Sequence, residues 1–125
     1  MEKTLTIDGR QVAFKSSGAF LLRYKAQFGR DAFQDVMKMQ DAFKKDRNGD
    51  TVLKNGKPVM VDINALDLTI FYNLAWTLAR TADPTIPLPM EWLDSFGSFP
   101  LSEIMPEIMD LLELSLGATV KPKNV

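Results

Sequence analysis

Across 62–82 the chain places Ile63, Leu66, Ile70, Phe71, Leu74, Ala75, Leu78 and Ala82 at three- and four-residue intervals. That recurrence is the signature of a helix with one broad apolar face. So wide a face is stable only when other elements cover it, so this helix is expected at the centre of the fold. Asp62 supplies a start signal. Asp83-Pro84 supplies the stop, because proline lacks an amide donor and disfavours helical geometry in the residue before it.

The remaining segments read as covering elements. Thr4-Leu5-Thr6-Ile7 and Gln11-Val12-Ala13-Phe14 each alternate polar and apolar residues around Asp8-Gly9, a dipeptide suited to a type I′ turn. With Asp8 and Gly9 as the loop, Ile7 faces Arg10 and Leu5 faces Val12. Leu5, Ile7, Val12 and Phe14 then share one face of a hairpin over 3–15. A lone hairpin is marginal in water, so helices must cover that face or another chain must extend it.

Four further helices are expected. Ser16-Ser17-Gly18 offers a cap for one over 18–28, in which Phe20, Tyr24 and Phe28 recur at spacing four beside Leu21, with Gly29 ending it. Asp31 caps a second over 31–45, with Phe33, Val36, Met37, Gln40 and Phe43 inward and Asp35, Lys38 and Asp41 outward. A short helix over 89–96 follows the proline-rich linker of Pro84, Pro87 and Pro89. The last, over 101–116, presents Ile104, Ile108, Leu111, Leu112 and Leu114 and ends at Gly117. Between 44 and 57 the chain turns hydrophilic, and Asn48-Gly49 and Asn55-Gly56 mark a mobile loop or a minor second hairpin. The expected fold is α+β and mostly α: an N-terminal β-hairpin packed on a bundle of about four to five helices. It forms one domain over 1–117, followed by a flexible tail over 118–125.

The residue inventory excludes much chemistry. The chain of 125 residues has neither cysteine nor histidine. Disulfides, thiolate metal sites, nucleophilic Cys or Ser-His catalysis and imidazole acid-base work are therefore absent from the options. Lys and Arg number 15 against 16 Asp and Glu, and the densest cationic clusters, Lys44-Lys45 with Arg47 and Lys121 with Lys123, are too sparse to track phosphates. No apolar run approaches the ~18 residues of a membrane span, and Met1-Glu2-Lys3-Thr4 does not open a signal peptide. The expectation is a soluble cytoplasmic protein with no nucleic-acid or membrane partner.

Two acidic constellations weaken on inspection. Asp46, Asn48 and Asp50 fall at positions one, three and five of a calcium loop, but Thr51 stands where the turn needs glycine and Lys57 where a bidentate Glu belongs. Glu103 and Glu107 lie four apart on a helix, yet Pro106 intervenes and a solvated acidic face is the simpler reading. No catalytic residue, metal site or cofactor is expected. A small enzyme using only carboxylates ranks last among the readings.

The aromatic residues carry more information. Trp76, Trp92, Phe96 and Phe99 cluster in the second half around the proline-rich turn, beside Leu88, Met90 and Leu93. Their ordinary role is core. Trp76, however, lies off the line of Leu74 and Leu78, and Trp92 and Phe96 share one edge of a very short helix. These four are the candidate protein-binding residues, since Trp and Phe are enriched at interfaces.

An ordered series of segments then resembles a known family. The Leu5-Thr6-Ile7-Asp8-Gly9 hairpin is followed by Arg23-Tyr24-Lys25-Ala26-Gln27-Phe28-Gly29-Arg30-Asp31. Next come Phe71-Tyr72-Asn73-Leu74-Ala75-Trp76-Thr77-Leu78-Ala79-Arg80, the linker Ala82-Asp83-Pro84-Thr85-Ile86-Pro87, and Glu91-Trp92-Leu93-Asp94-Ser95-Phe96. Together they are similar to the tail assembly chaperones of long-tailed, siphovirus-like phages and prophages of Gram-positive bacteria. The likeness spans nearly the whole chain and rests on order and spacing, since each segment alone is unspecific. It implies a non-enzymatic factor that binds the tape measure protein, keeps it soluble, helps recruit tail tube subunits in the host cytoplasm, and is absent from the mature virion. It also implies a longer product made by translational frameshifting near the end of the short reading frame. The alternative is a structural tail or head-tail connector subunit retained in the virion and self-associating through the hairpin edge.

Overall fold

The computed structural model describes residues 1–62 and 67–116, the side chains of 57, 58 and 114 aside. The tail expected over 118–125, the stop at Gly117, and Ile63 and Leu66 of the expected central helix lie outside the described residues.

The hairpin forms in the expected register. Strand β1 (Glu2–Ile7) pairs antiparallel with β2 (Arg10–Lys15), Leu5 opposite Val12 and Ile7 opposite Arg10. Asp8 and Gly9 take φ values of 54° and 78°, the left-handed pair that a two-residue type I′ loop requires. Ile7 and Phe14 are fully buried, and Leu5 and Val12 are half-buried against the core.

Five helices follow. Helix α1 (Phe20–Phe28) stops where Gly29 adopts a left-handed φ of 69° and returns its amide to the Lys25 carbonyl. Asp31 then caps α2 (Ala32–Gln40) by accepting from the Phe33 and Gln34 amides. Beyond α2 the chain leaves the helix at Gln40, short of the expected 45. Phe43 and Lys45 instead bridge to Met60 and Thr51, around a small hairpin of β3 (Leu53–Lys54) and β4 (Lys57–Pro58). The minor second hairpin is thus the form this segment takes.

The central helix is α3 (Leu68–Ala82), and it begins later than expected. Asp67 accepts from the Ile70 amide as its cap, while the Asp62 amide donates to the Ala42 carbonyl and lies outside the helix. From Ile70 to Ala79 only Tyr72 and Asn73 escape full burial, because β2 and α1 pack on this helix from different sides. Pro89 opens α4 (Pro89–Asp94), a position that needs no amide donor. Helix α5 (Leu101–Ser115) closes the described chain with Ile108, Leu111 and Leu112 fully buried. The result is α+β and mostly α, as expected.

Candidate protein-binding surface

The four aromatic candidates are placed inside the fold or at its edge. Trp76, Trp92 and Phe96 are 3%, 3% and 7% exposed, and Phe99 is half-buried against the same cluster. Trp92 holds the centre, with ring centroids of Phe14, Phe96 and Phe99 at 6.3, 5.3 and 5.7 Å in edge-on geometry. Trp76 joins a second file through Phe28, which continues to Tyr24 and Phe20. The expectation of an exposed aromatic patch is therefore corrected. The proline-rich linker folds back over α3, so the Trp76 indole donates to the Pro87 carbonyl at 2.8 Å and Arg80 stacks on its ring. A buried indole satisfied in this way is a core residue.

The hairpin is tied down at both ends, its tip to this cluster and its open end to α5. At its tip the Asp8 carboxylate accepts from the Gly97 amide at 2.7 Å, and Arg10 donates to the Ser95 hydroxyl while lying 4.0 Å over the Phe96 ring. The approach is close: a Cβ at Gly97 would sit 3.1 Å from the Asp8 oxygen, so the carboxylate would have to give by a few tenths of an ångström. At the open end Lys3 donates to Glu107 and Asp110, both at 2.8 Å. Burial opposes the charge on Lys3, but the two carboxylates outweigh it and raise the ammonium pKa. Glu103 is exposed, and Glu107 closes an ion pair while its side chain keeps 42% exposure, so the acidic face is solvated as expected. The Asp46 carboxylate is likewise occupied, accepting the Asn48 and Asp50 amides of its own turn. Among the described residues no cluster of acidic side chains is arranged to hold a metal.

Val36 and Phe43 turn inward and Lys38 and Asp41 outward as expected, but the placement of Asp35, Phe33 and Met37 is corrected. Asp35 is buried, accepting the Tyr24 hydroxyl at 2.8 Å and a two-pronged contact from Arg30 at 2.8 and 2.7 Å. The Arg30 guanidinium holds the Asp35 carboxyl below the usual carboxylate range against the opposing push of burial, and the Tyr24 hydroxyl adds to the effect. Burial, then hydrogen bonding to Asp35, pushes the Tyr24 hydroxyl pKa upward. This lock turns Ala32, Val36 and Met39 into the core, and it swings Phe33 and Met37 outward, 50% and 49% exposed.

Phe33 and Met37 lie one helical turn apart and therefore stand side by side. With Val36, Thr51, Glu113 and Leu116 they line a groove of ≈270 Å³ between α2, the segment 45–51 and the end of α5. Sequence reading missed this surface because two apolar stripes, Phe33/Met37 and Ala32/Val36/Met39, run along α2. Only the docking of Asp35 on α1 chooses between them. Tyr24 and Arg30, both within reach of a carboxylate one turn into α2, were the available signal. No family model, curated protein or solved structure matches the chain.

Proposed function

We propose that this chain is a non-enzymatic phage tail assembly chaperone. In this reading it binds the tape measure protein in the host bacterial cytoplasm, keeps it soluble, helps recruit tail tube protein, and is left out of the mature virion. The ordered resemblance of its segments to that family supplies the class. The observation that carries the binding mode is the Phe33–Met37 pair, an exposed apolar step beside a groove of ≈270 Å³. An amphipathic client helix lays its apolar side into such a groove through anchors at i, i+3 and i+4.

Magnitude suits the role. Covering two half-exposed side chains contributes about 1–3 kcal/mol, enough to shield a client and little enough to release it. Trp76, Trp92, Phe96 and Phe99 then serve as core, packing on the hairpin, α1 and α3 through Phe14, Phe28 and Tyr72. The test is co-expression with the tape measure protein encoded nearby, followed by pull-down and a client solubility assay. Wild-type chain should keep the client soluble and co-purify with it, and Phe33→Ala/Met37→Ala should lose both while remaining folded. A client that stays insoluble in the presence of wild-type chain removes the reading.

One observation favours the alternative of a structural tail or connector subunit: the hairpin forms a sheet of only two strands among the described residues, with main-chain groups open for self-association. Finding the chain in purified particles would decide for it.

A further inference from the structure

A second surface follows from the hydrogen-bond parity of the hairpin. A two-residue loop makes Ile7 and Arg10 a hydrogen-bonded pair, and bonded and non-bonded pairs alternate from there. The Ser16 amide donates to the Met1 carbonyl at 2.9 Å, which shows the same parity at the open end. Leu5–Val12 and Lys3–Phe14 therefore bond across the ladder, whereas Gln11 and Ala13 aim their N–H and C=O groups away from β1. Among the described residues no third strand meets them, and no main-chain hydrogen bond from outside the hairpin reaches them.

These groups border a trough of ≈450 Å³, which Gln11 and Ala13 line together with Ala79, Ile86, Pro87 and Trp92. We propose that the trough binds one extended peptide segment of a partner protein as an added strand along β2. The main chain of Gln11 and Ala13 offers two donors and two acceptors, which a peptide backbone of any sequence can match. Ile86, Pro87 and Trp92 select the side chains, favouring apolar residues at alternate positions, since those share one face of a strand.

Volume favours a single extended strand as the occupant. A strand fills about 160 Å³ per residue, from spacings of ~4.8 Å between strands, ~10 Å between layers and ~3.3 Å along the chain. The trough therefore holds about three residues of a single strand. A second copy of this protein would bring two strands and the helices packed beneath them. The site is separate from the α2 groove and stands whether or not the client helix binds there.

The experiment is selection of a random ten-residue peptide library on the full chain, followed by titration of the enriched peptides with main-chain amide resonances as the readout. Enriched peptides should alternate apolar residues and shift the Gln11 and Ala13 amides. Ala13→Pro should weaken them about tenfold, because it removes an outward donor and leaves the β1–β2 ladder intact, as proline on an edge strand does. N-methylation of the peptide at alternate residues should produce the same loss, which keeps the test decisive if the proline variant unfolds. The proposal is overturned if no peptide is enriched, or if N-methylated peptides bind undiminished. It is also overturned if the Gln11 and Ala13 amides become protected as the chain alone is concentrated, which would assign the edge to a second copy.

Discussion

The aromatic cluster around Trp92 and the Phe33–Met37 face of α2 are both rich in large apolar side chains, yet one is core and the other surface. The difference lies in what comes back to cover them. Over Trp76 and Trp92 the linker through Pro87 and the hairpin tip at Arg10 close down with specific hydrogen bonds. Among the described residues nothing comparable arrives over Phe33 and Met37, because the Tyr24–Asp35–Arg30 lock fixes α2 with those two residues outward. Burial in this fold is decided by polar anchors as much as by the hydrophobic residues they bring inside.

The largest expected effect tests the covered side of this contrast. Trp92→Ala should cost about 3–5 kcal/mol by chemical denaturation, the range for emptying a packed aromatic site. A variant that kept its stability and lost only client binding would place Trp92 back on the surface. Next, Asp35→Ala should cost about 1.5–3 kcal/mol, because it strands the buried Tyr24 hydroxyl and breaks charged hydrogen bonds.

The same lock predicts a pH dependence. Asp35 has its folded pKa depressed below the ordinary ~3.9, so its contribution is complete above that value and is lost as pH falls through it toward the folded pKa. Denaturation midpoints measured at pH 6 and pH 3 should diverge in wild-type and diverge less in Asp35→Asn, where Asp83 still contributes. A smaller loss, at most about 1 kcal/mol and diminishing with added salt, is expected for Lys3→Ala, whose partners are partly solvated. The smallest belongs to Phe33→Ala and Met37→Ala, each within about 0.5 kcal/mol of wild-type. A large loss there would show that the exposed face is structural after all.

Much of the fold was legible in local signals that act on a few neighbouring residues. Asp8-Gly9 determined the hairpin register, Asp31 and Gly29 marked helix ends, and Pro89 opened a helix, each through backbone chemistry confined to one turn. What escaped were features set by distant partners. Asp35 reads as a solvent-facing carboxylate until Tyr24 and Arg30 arrive from the preceding helix and loop. Trp76 lies off its helix's main apolar line, and it is buried because a linker eleven residues on accepts its indole N–H. Asp46 resembles a metal ligand in a list of spacings, but in three dimensions its oxygen is taken by its own turn. The candidate surface was hardest to read, since exposure is a property of everything else in the chain.

The fastening of the hairpin tip to Ser95 and Gly97, and of Lys3 to Glu107 and Asp110, joins residues 85 to 107 positions apart. During synthesis the hairpin leaves the ribosome before α4 and α5, and at roughly 5–20 residues per second it waits several seconds for the segments that secure it. Throughout that interval the Ile7 and Phe14 face is bare and both strand edges are open. The chain thus passes through a stage in which its own hairpin is unshielded, and a slower-translated stretch before Ser95 should lower its yield.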